Sequence, residues 1–370
     1  MKIAKSWGWS AAWDARLAEW HDGAERGDDA ADVRVGRVVG GAHEIFRLAI
    51  GDDEFCFAKP PGKARAEARW PAVGDWVLFV PGASASGESS VDSDGTILHV
   101  LARETSLQRR KAGKTPKAQV LATNVDFVFV VGNPNEDFSL SRLDRYVALA
   151  REGGAEPVVV LNKIDLIDDV AAWRARIEAH LPGLAVVATS ARTGAGEAEL
   201  RALLAPGKTG VFVGSSGVGK SSLVNRLAER EILETQDIRE GDDKGRHTTT
   251  ARELHRLPWG ALLVDTPGLR EVGLLGGEGV SLHFADVETL AARCKFTDCR
   301  HENEPHCAVR RAIEAGELSP TRLESFLQLN AEAEWMRAQE QGSAESQERK
   351  RHAKVMSKGL RVRLRQKGRR

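Results

Sequence analysis

The sequence lacks the features that carry a chain into or across a membrane. Its 370 residues include no run of about 18 apolar residues, so no membrane-spanning helix is predicted. The first twenty residues contain acidic side chains and no apolar core of a secretion signal. We therefore expect a cytoplasmic protein that has no membrane partner.

Cysteine is scarce, and its placement argues against a disulfide framework. Three of the four cysteines lie between residues 294 and 307, beside histidines. In a cytosolic chain such a cluster favours a metal site over disulfide bonds.

Net charge is lacking too, because 53 basic residues balance 53 acidic ones. The C-terminal end is nevertheless strongly basic, since the segment from Arg349 to Arg370 contains eleven Lys or Arg and no Asp or Glu. A block of like charge predicts a tail. Two interpretations of this tail stay open, a solvated end without a specific partner and a surface that contacts nucleic-acid phosphates.

The remaining chain shows a change of pattern along its length. Trp9, Trp13, Leu17 and Trp20 recur near helical spacing, so the first part is expected to form a helix that packs against a neighbour. Five short strand-like segments between residues 31 and 106 favour a small OB-type β-barrel. A basic segment with Gly and Pro at 107–124 is interpreted as a linker. From residue 125, apolar strands alternate with helices, which predicts an α/β domain with a mostly parallel sheet.

A phosphate-binding loop is predicted within this α/β region. The pattern G-x-x-x-x-G-K-[ST] follows an apolar strand and precedes a helix, the context that such a loop requires. Its glycines allow backbone N–H groups to surround phosphates, Lys220 would reach the β- and γ-phosphates, and the Ser221 hydroxyl would bind Mg²⁺. The candidate residues are Gly214, Ser215, Ser216, Gly217, Val218, Gly219, Lys220, Ser221 and Ser222.

A guanine-reading loop is predicted upstream, at Asn162, Lys163, Ile164 and Asp165. The Asp165 carboxylate could accept hydrogen bonds from two N–H groups of guanine, a donor pair that adenine lacks. Ser190 and Ala191 match a further loop, whose backbone would contact the guanine oxygen. Together with the phosphate loop, these residues predict GTP and GDP as ligands.

Two switch segments complete the set. Asp265 and Gly268 follow an apolar strand in the sequence Asp-Thr-Pro-Gly, which suits a loop that senses the γ-phosphate and the Mg²⁺ shell. Upstream, a threonine-rich segment suits the other switch, with Thr249 as the Mg²⁺ candidate. Its neighbours Thr248 and Thr250 stay open as alternatives.

The order of these elements is permuted, since GTPases usually begin with the phosphate loop. Here the guanine loop comes first and the Asp265 segment comes last. A doubly wound sheet tolerates this because chain ends can move to other surface points while the strands keep their positions. The second switch is consequently joined directly to the C-terminal region.

The C-terminal region contains the predicted metal ligands Cys294, Cys299, His301 and Cys307. Three thiolates and one imidazole in a short polar segment suit one structural Zn²⁺ in tetrahedral geometry. His306 is an alternative ligand, but His301 is favoured because side chains adjacent to one another rarely reach the same metal.

Taken together, these motifs resemble the ribosome small-subunit-dependent GTPase A family (RsgA, also called YjeQ or YloQ). The resemblance covers about residues 30 to 330. It implies an OB domain, a circularly permuted P-loop GTPase domain and a C-terminal zinc-binding helical domain. It also implies that the protein binds the maturing 30S subunit and its rRNA, and that it hydrolyses GTP when the subunit stimulates it, late in maturation. The expected divisions are a helical extension at 1–30, an OB domain at 31–106, a linker at 107–124, a GTPase domain at 125–280, a zinc-binding domain at 281–340 and a basic tail at 341–370. We expect a monomer.

Two interpretations of the catalytic group stay open. Leu269 stands where many GTPases have a water-orienting Gln, so intrinsic hydrolysis is expected to be slow. His247 is the candidate to orient the water, and a solvent-exposed loop histidine without a catalytic role is the alternative. Two other functions also remain open: a GTPase that acts on a different RNA, and a GTP-dependent RNA-binding module without turnover.

Overall fold

The structure is a computed structural model that describes residues 5–23, 33–42, 44–60, 70–82, 95–110, 118–135, 138–233, 252–265 and 277–338. Among these residues no helix has the length and apolar character needed to cross a membrane.

The N-terminal segment forms a short 3₁₀ turn at Lys5–Trp7 and helix α1 at Ala11–Gly23. Trp9 and Trp13 are buried. Their rings lie 4.8 and 6.1 Å from the ring of Trp76, which belongs to the barrel. The expected tryptophan packing is confirmed, and it fixes the N-terminal segment to the barrel.

Five strands close into a barrel in the order β1-β2-β3-β5-β4, which confirms the OB-type prediction. β3 and β5 pair in parallel, and the other neighbours pair antiparallel. The strands are β1 (Arg34–Ala42), β2 (Ile45–Ala49), β3 (Phe55–Lys59), β4 (Trp76–Pro81) and β5 (Gly95–Val100).

The segment interpreted as a linker contains paired strands. β6 (Ser106–Arg110) and β7 (Ala118–Thr123) form an antiparallel pair in which Ser106 lies opposite Thr123. Leu107 and Leu121 enter the central core and are 1% and 2% exposed. Basic residues, Gly and Pro dominate the composition of this segment and favour a linker, whereas the burial of its leucines stabilises the strand pair.

The α/β region is built on a six-stranded sheet in the order β10-β9-β8-β11-β13-β12, with β12 alone antiparallel to its neighbour. This confirms the mostly parallel sheet. The strands are β8 (Phe127–Gly132), β9 (Glu156–Leu161), β10 (Ala185–Ala188), β11 (Thr209–Val213), β12 (Glu253–Arg256) and β13 (Leu262–Asp265). The helices between them are α2 (Leu140–Glu152), α3 (Val170–His180), α4 (Glu197–Leu203) and α5 (Lys220–Ala228).

The C-terminal region is helical and has its own apolar core. It contains α6 (Glu278–His283), α7 (Ala285–Ala291), α8 (Ala308–Glu314) and α9 at 320–338. Phe284, Val287 and Leu329 belong to this core, which also receives Ala148 from α2. The region therefore packs directly on the α/β sheet's helical layer through α2.

Candidate nucleotide site and metal centre

The predicted phosphate loop and guanine-reading loop both follow the carboxyl ends of parallel strands, at the same end of the sheet. From β8 the chain proceeds outward to β9 and β10, whereas from β11 it proceeds toward β13 on the other side. β8 and β11 therefore flank a topological switch point, and crevices at such points are where doubly wound sheets bind ligands. The phosphate loop begins at Gly214, directly after the carboxyl end of β11.

Two glycines of the phosphate loop stand where a side chain would not fit. Gly214 has a φ of 142°, and a Cβ there would lie 2.3 Å from the carbonyl oxygen of Val131. Gly219 has a φ of 91°, and a Cβ there would lie 2.3 Å from Asn162 Nδ2. The loop thus packs on β8 at one end and on the guanine-reading loop at the other.

The remaining phosphate-loop residues point to an anion site. Lys220 Nζ donates to the carbonyl oxygens of Gly214 at 2.9 Å and Ser215 at 2.6 Å, so its ammonium lies over the loop. Ser216 and Gly217 are exposed at the crevice. Val218 is buried under the loop, and Ser221 and Ser222 lie in the first turn of α5. The helix N-terminus adds a favourable potential for phosphate.

Asn162 joins the two loops physically. Its buried side chain donates from Nδ2 to the carbonyl oxygen of Val218 at 2.8 Å. Its Oδ1 accepts from Thr189 Oγ1 at 3.2 Å and from the backbone N–H of Ala191 at 3.3 Å. One amide therefore holds the phosphate loop, the guanine-reading loop and the loop after β10 in fixed positions.

The carboxylate predicted to read guanine lies beside this amide. Asp165 Oδ1 accepts from Ser190 Oγ at 2.5 Å, and Oδ2 accepts from Arg192 Nε at 2.9 Å. The hydrogen bond from Ser190 lowers the pKa of Asp165, so the carboxylate is ionised and keeps its acceptor character. Lys163 has a left-handed backbone with a φ of 63°, and Ile164 begins the 3₁₀ turn that carries Asp165.

Asp265 ends β13 at the same edge of the sheet. Burial, followed by the negative charge of Glu253, raises its pKa to about 6. A carboxylate with these surroundings is stabilised in its charged form by a nearby cation, which suits a residue in the shell of Mg²⁺. The other switch candidates, His247, Thr249, Gly268 and Leu269, lie outside the described residues.

The four predicted metal ligands come together between α7 and α8. His301 Nδ1 lies 3.7, 3.4 and 3.4 Å from the Sγ atoms of Cys294, Cys299 and Cys307, and all four ligand atoms lie within 4.8 Å of one another. Ligand atoms of a tetrahedral Zn²⁺ site are about 3.5–3.8 Å apart, given Zn–S and Zn–N distances of about 2.3 and 2.0 Å. His306 does not belong to this group.

The surroundings of the thiols also suit a cation. Backbone N–H groups donate to sulfur, from Ala308 to Cys294 at 3.3 Å and from Arg310 to Cys307 at 3.4 Å. Burial and the two neighbouring thiols raise the pKa of Cys299 to about 11. For Cys294, although burial opposes it, hydrogen bonds from the backbone N–H groups of Ala308 and Val309 lower the pKa. Three sulfurs and one imidazole nitrogen at these distances fit a metal ion, whose positive charge would favour the thiolate forms.

The residues that join the domains carry no motif in the sequence. Arg37 of β1 and Asp144 of α2 are fully buried, and each has a hydrogen-bond partner in another domain, Thr209 and His283 respectively. Arg142 of α2, which contacts the phosphate loop, belongs to no motif either. Only the placement of Arg142 and Asp144 in the helix after β8 could have suggested them, because that helix begins beside the switch point.

Comparison with known proteins agrees with the geometry. The family model described as RsgA GTPase matches residues 100–275. The small ribosomal subunit biogenesis GTPase RsgA of Syntrophotalea carbinolica is 39% identical, and the match covers 97% of each chain. The protein of the same name from Opitutus terrae is 46% identical over 75% of this chain and 76% of its own.

Solved structures show the same architecture. The crystal structure of YjeQ from Thermotoga maritima superimposes with a TM-score of 0.61 at 30% identity, covering 81% of this chain and 98% of that one. YloQ, described as a circularly permuted GTPase, gives a TM-score of 0.57 at 23% identity, covering 84% of this chain and 98% of that one. The latter supports the fold.

Proposed function

Because the chain belongs to the RsgA GTPase family, we propose that it hydrolyses GTP to GDP and phosphate during late maturation of the small (30S) ribosomal subunit. The relatives at 39% and 46% identity are named small ribosomal subunit biogenesis GTPases. The observation that carries the proposal is the hydrogen bond from Asn162 to the Val218 carbonyl, which joins a guanine-reading loop to a phosphate loop.

The proposed division of labour follows from the chemistry of each group. Backbone N–H groups of the phosphate loop hold the phosphates, and Lys220 balances charge on the β- and γ-phosphates. Ser221, Thr249 and Asp265 would hold Mg²⁺, which would neutralise negative charge on the β- and γ-phosphates. Gly268 would sense the γ-phosphate through its N–H.

Guanine selection gives the sharpest test of the site. Asp165→Asn replaces an acceptor with an amide whose N–H₂ faces the donors of guanine. GTP affinity should fall at least about 100-fold, because the donors of the base are left unpaired or opposed. Xanthosine triphosphate, which has a carbonyl in place of the guanine amine, should bind the variant more tightly than GTP. Fluorescence titration with both nucleotides measures this.

The control for that test is Asp168→Asn, an exposed carboxylate three residues away. It removes the same charge and should leave both affinities within about twofold of the parent protein. Equal loss of GTP affinity in the two variants would show that Asp165 does not read the base.

The ribosomal part of the proposal has its own test. GTP turnover is measured with and without purified 30S subunits at several salt concentrations, and stimulation should decline as salt rises because phosphate contacts weaken. Stimulation by an unrelated structured RNA to the same extent would favour another RNA partner. A protein that binds GTP without any turnover would be a binding module instead.

His247 stays the proposed group for orienting the attacking water. His247→Ala should lower 30S-stimulated turnover at least about tenfold without a matching change in GTP affinity. Unchanged stimulated turnover in this variant would remove His247 from the reaction.

We also propose that the cysteine–histidine cluster holds one structural Zn²⁺. The cluster supplies four protein ligands, which leaves no open position for catalysis. The OB barrel, this zinc-binding region and the basic tail are the proposed rRNA contacts. The protein is proposed to act as a monomer in the cytoplasm, without a membrane partner.

A further inference from the structure

Arg142 is the second cationic side chain that touches the phosphate loop. Its Nη1 donates to Ser215 Oγ at 3.0 Å. Lys220 Nζ donates to the carbonyl oxygen of the same serine at 2.6 Å. Since Lys220 is the group that reaches the β- and γ-phosphates in such loops, Ser215 marks the phosphate end of the crevice. The guanidinium therefore lies at that end too.

The topology explains why this arginine reaches the loop. β8 and β11 pair in parallel, with Val130 opposite Val213, so the segments that follow them emerge at the same edge. The phosphate loop follows β11, and α2 follows β8 after a short connection. Arg142, in the first turn of α2, forms the other wall of the crevice at the topological switch point.

The backbone of Arg142 is held firmly, although its side chain is exposed. Its N–H donates to the capping hydroxyl of Ser139 at 3.3 Å. The next two residues, Leu143 and Asp144, are buried. Among the described residues, the guanidinium has Ser215 as its hydrogen-bond partner, which leaves four of its five N–H donors for a ligand.

We propose that Arg142 is a catalytic arginine supplied by the chain itself, which binds the γ-phosphoryl group and stabilises the charge that develops during hydrolysis. In that step the water oxygen bonds to the γ-phosphorus while the bond to the β–γ bridging oxygen breaks. The electron pair stays on the bridging oxygen of GDP, and the water proton leaves with the phosphate. Arginines acting in this way contribute strongly to turnover.

The groups already assigned leave this role open. Leu269 occupies the position where many GTPases have Gln, and the role proposed for His247 is to orient the water, so the charge that develops on the γ-phosphoryl group calls for a further cation. The inference rests on the proposed GTPase function and adds one residue to it. A planar guanidinium suits the role because it can bind two phosphate oxygens at once.

The test compares Arg142→Ala with the parent protein in single-turnover GTP hydrolysis, with and without 30S subunits. The hydrolysis rate should fall at least about tenfold, while the GDP dissociation constant should change less than about threefold, because GDP lacks the group that Arg142 binds. Formation of the complex with GDP and aluminium fluoride, which mimics the transferring phosphoryl group, should be lost. Arg142→Lys should hydrolyse GTP faster than Arg142→Ala, because it retains a charge.

The matched control is Arg174→Ala, an exposed arginine of α3 that pairs with Glu178 and should behave like the parent protein. An Arg142→Ala rate within threefold of the parent rate would overturn the inference, as would a loss of GDP affinity as large as the loss of rate. Equal rates for the alanine and lysine variants would also overturn it. Absence of turnover in the parent protein, with or without 30S subunits, would instead overturn the proposed function.

Discussion

The two junctions of the GTPase domain are built on buried charges of opposite sign. At the barrel junction, Arg37 donates to neutral oxygens: the carbonyls of Trp7, Gly74 and Asn124 and the hydroxyl of Thr209. These partners come from the N-terminal segment, the barrel, the chain before β8 and the beginning of β11. Burial lowers the pKa of Arg37 to about 10, so it remains charged at neutral pH.

The C-terminal junction is built on Asp144, a buried anion. His180 Nε2 and His283 Nε2 each lie 2.7 Å from its carboxylate oxygens. Arg322 of α9 approaches the same carboxylate at 3.4 Å and forms a two-point ion pair with Asp286 of α7. α2, α3, α6 and α9 thus meet at one carboxylate, and α7 joins them through Arg322.

The two junctions differ in which buried groups lose their partner when the central charged residue is removed. Removing Arg37 leaves neutral oxygens, and it also removes the cost of burying a charge. Removing Asp144 leaves Arg322 without one of its anions in a buried position. In addition, the C-terminal junction contains carboxylates and His283, which can gain protons as the pH falls, whereas arginine stays protonated, so the C-terminal junction should respond to acid first.

The largest effect is expected for Asp144→Ala. The free energy of unfolding should fall by about 3–5 kcal/mol, because a buried charge loses its partner. Urea titration combined with hydrogen exchange of α6 amides measures it. The control is Glu332→Gln, which breaks the Arg145–Glu332 pair of the same junction, where both side chains are partly exposed. That pair should contribute less than about 1 kcal/mol, and equal losses in the two variants would contradict the central role of Asp144.

The next effect is expected for Arg37→Met, which should lower the free energy of unfolding by about 2 kcal/mol. Methionine fills similar space, while unpaired oxygens cost less than an unpaired charge. Arg34→Met, an exposed change on the same strand, serves as the control and should stay within about 0.5 kcal/mol of the parent protein. A loss for Arg37→Met larger than that for Asp144→Ala would reverse the comparison.

Acid should weaken the C-terminal junction before the barrel junction. Although burial opposes it, the hydrogen bonds from His180 and His283 lower the pKa of Asp144 from 3.8 to about 2. The ionised Asp144 therefore contributes about 2 kcal/mol to the free energy of unfolding. This contribution is complete above about pH 4 and is lost as the pH falls toward 2.

Burial also lowers the pKa of His283. The positive charges of Arg322 and Arg151 lower it further, whereas the hydrogen bond and charge of Asp144 act to raise it. The unfolded chain binds this proton first, so stability should already decline below about pH 6.5. Hydrogen exchange of α6 and β1, measured between pH 5 and 8, checks the contrast. His283→Gln should flatten the α6 profile, and an unchanged profile would assign the pH response to other groups.

The smallest effect is expected for Thr209→Val. It removes one of the four acceptors of Arg37 and should cost about 1 kcal/mol in unfolding free energy. Thr289→Val, at an exposed threonine of α7, is the control and should have less than half of that effect. Because Thr209 begins the strand that leads to the phosphate loop, GTP affinity is measured in the same variant.

The parts of the site that sequence analysis found are those in which one short segment carries the chemistry. The phosphate loop and the guanine-reading loop are each defined by residue types at fixed spacing. The four metal candidates also lie within fourteen residues, so their proximity follows from chain length alone. The barrel and the parallel sheet were recognisable because strand periodicity is local too.

The junctions could not be predicted in this way, because their partners are far apart in the chain. Arg322 lies 178 residues after Asp144, and Thr209 lies 172 residues after Arg37. A buried arginine or aspartate also looks like any surface charge in the sequence. The β6–β7 pair was missed for the opposite reason, since its local composition favoured a linker over strands.

The order of the strands along the chain determines which of them are available for pairing during synthesis. β8 is made before its two flanking strands, and β9 and β10 then complete one side of it. About 80 residues separate Gly132, which ends β8, from Val213, which ends β11. At ordinary rates of synthesis this takes roughly 4–16 s. Throughout that interval the second edge of an apolar strand is open to pairing with other chains. The permuted order thus exposes the centre of the sheet during translation until the strand that bears the phosphate loop arrives.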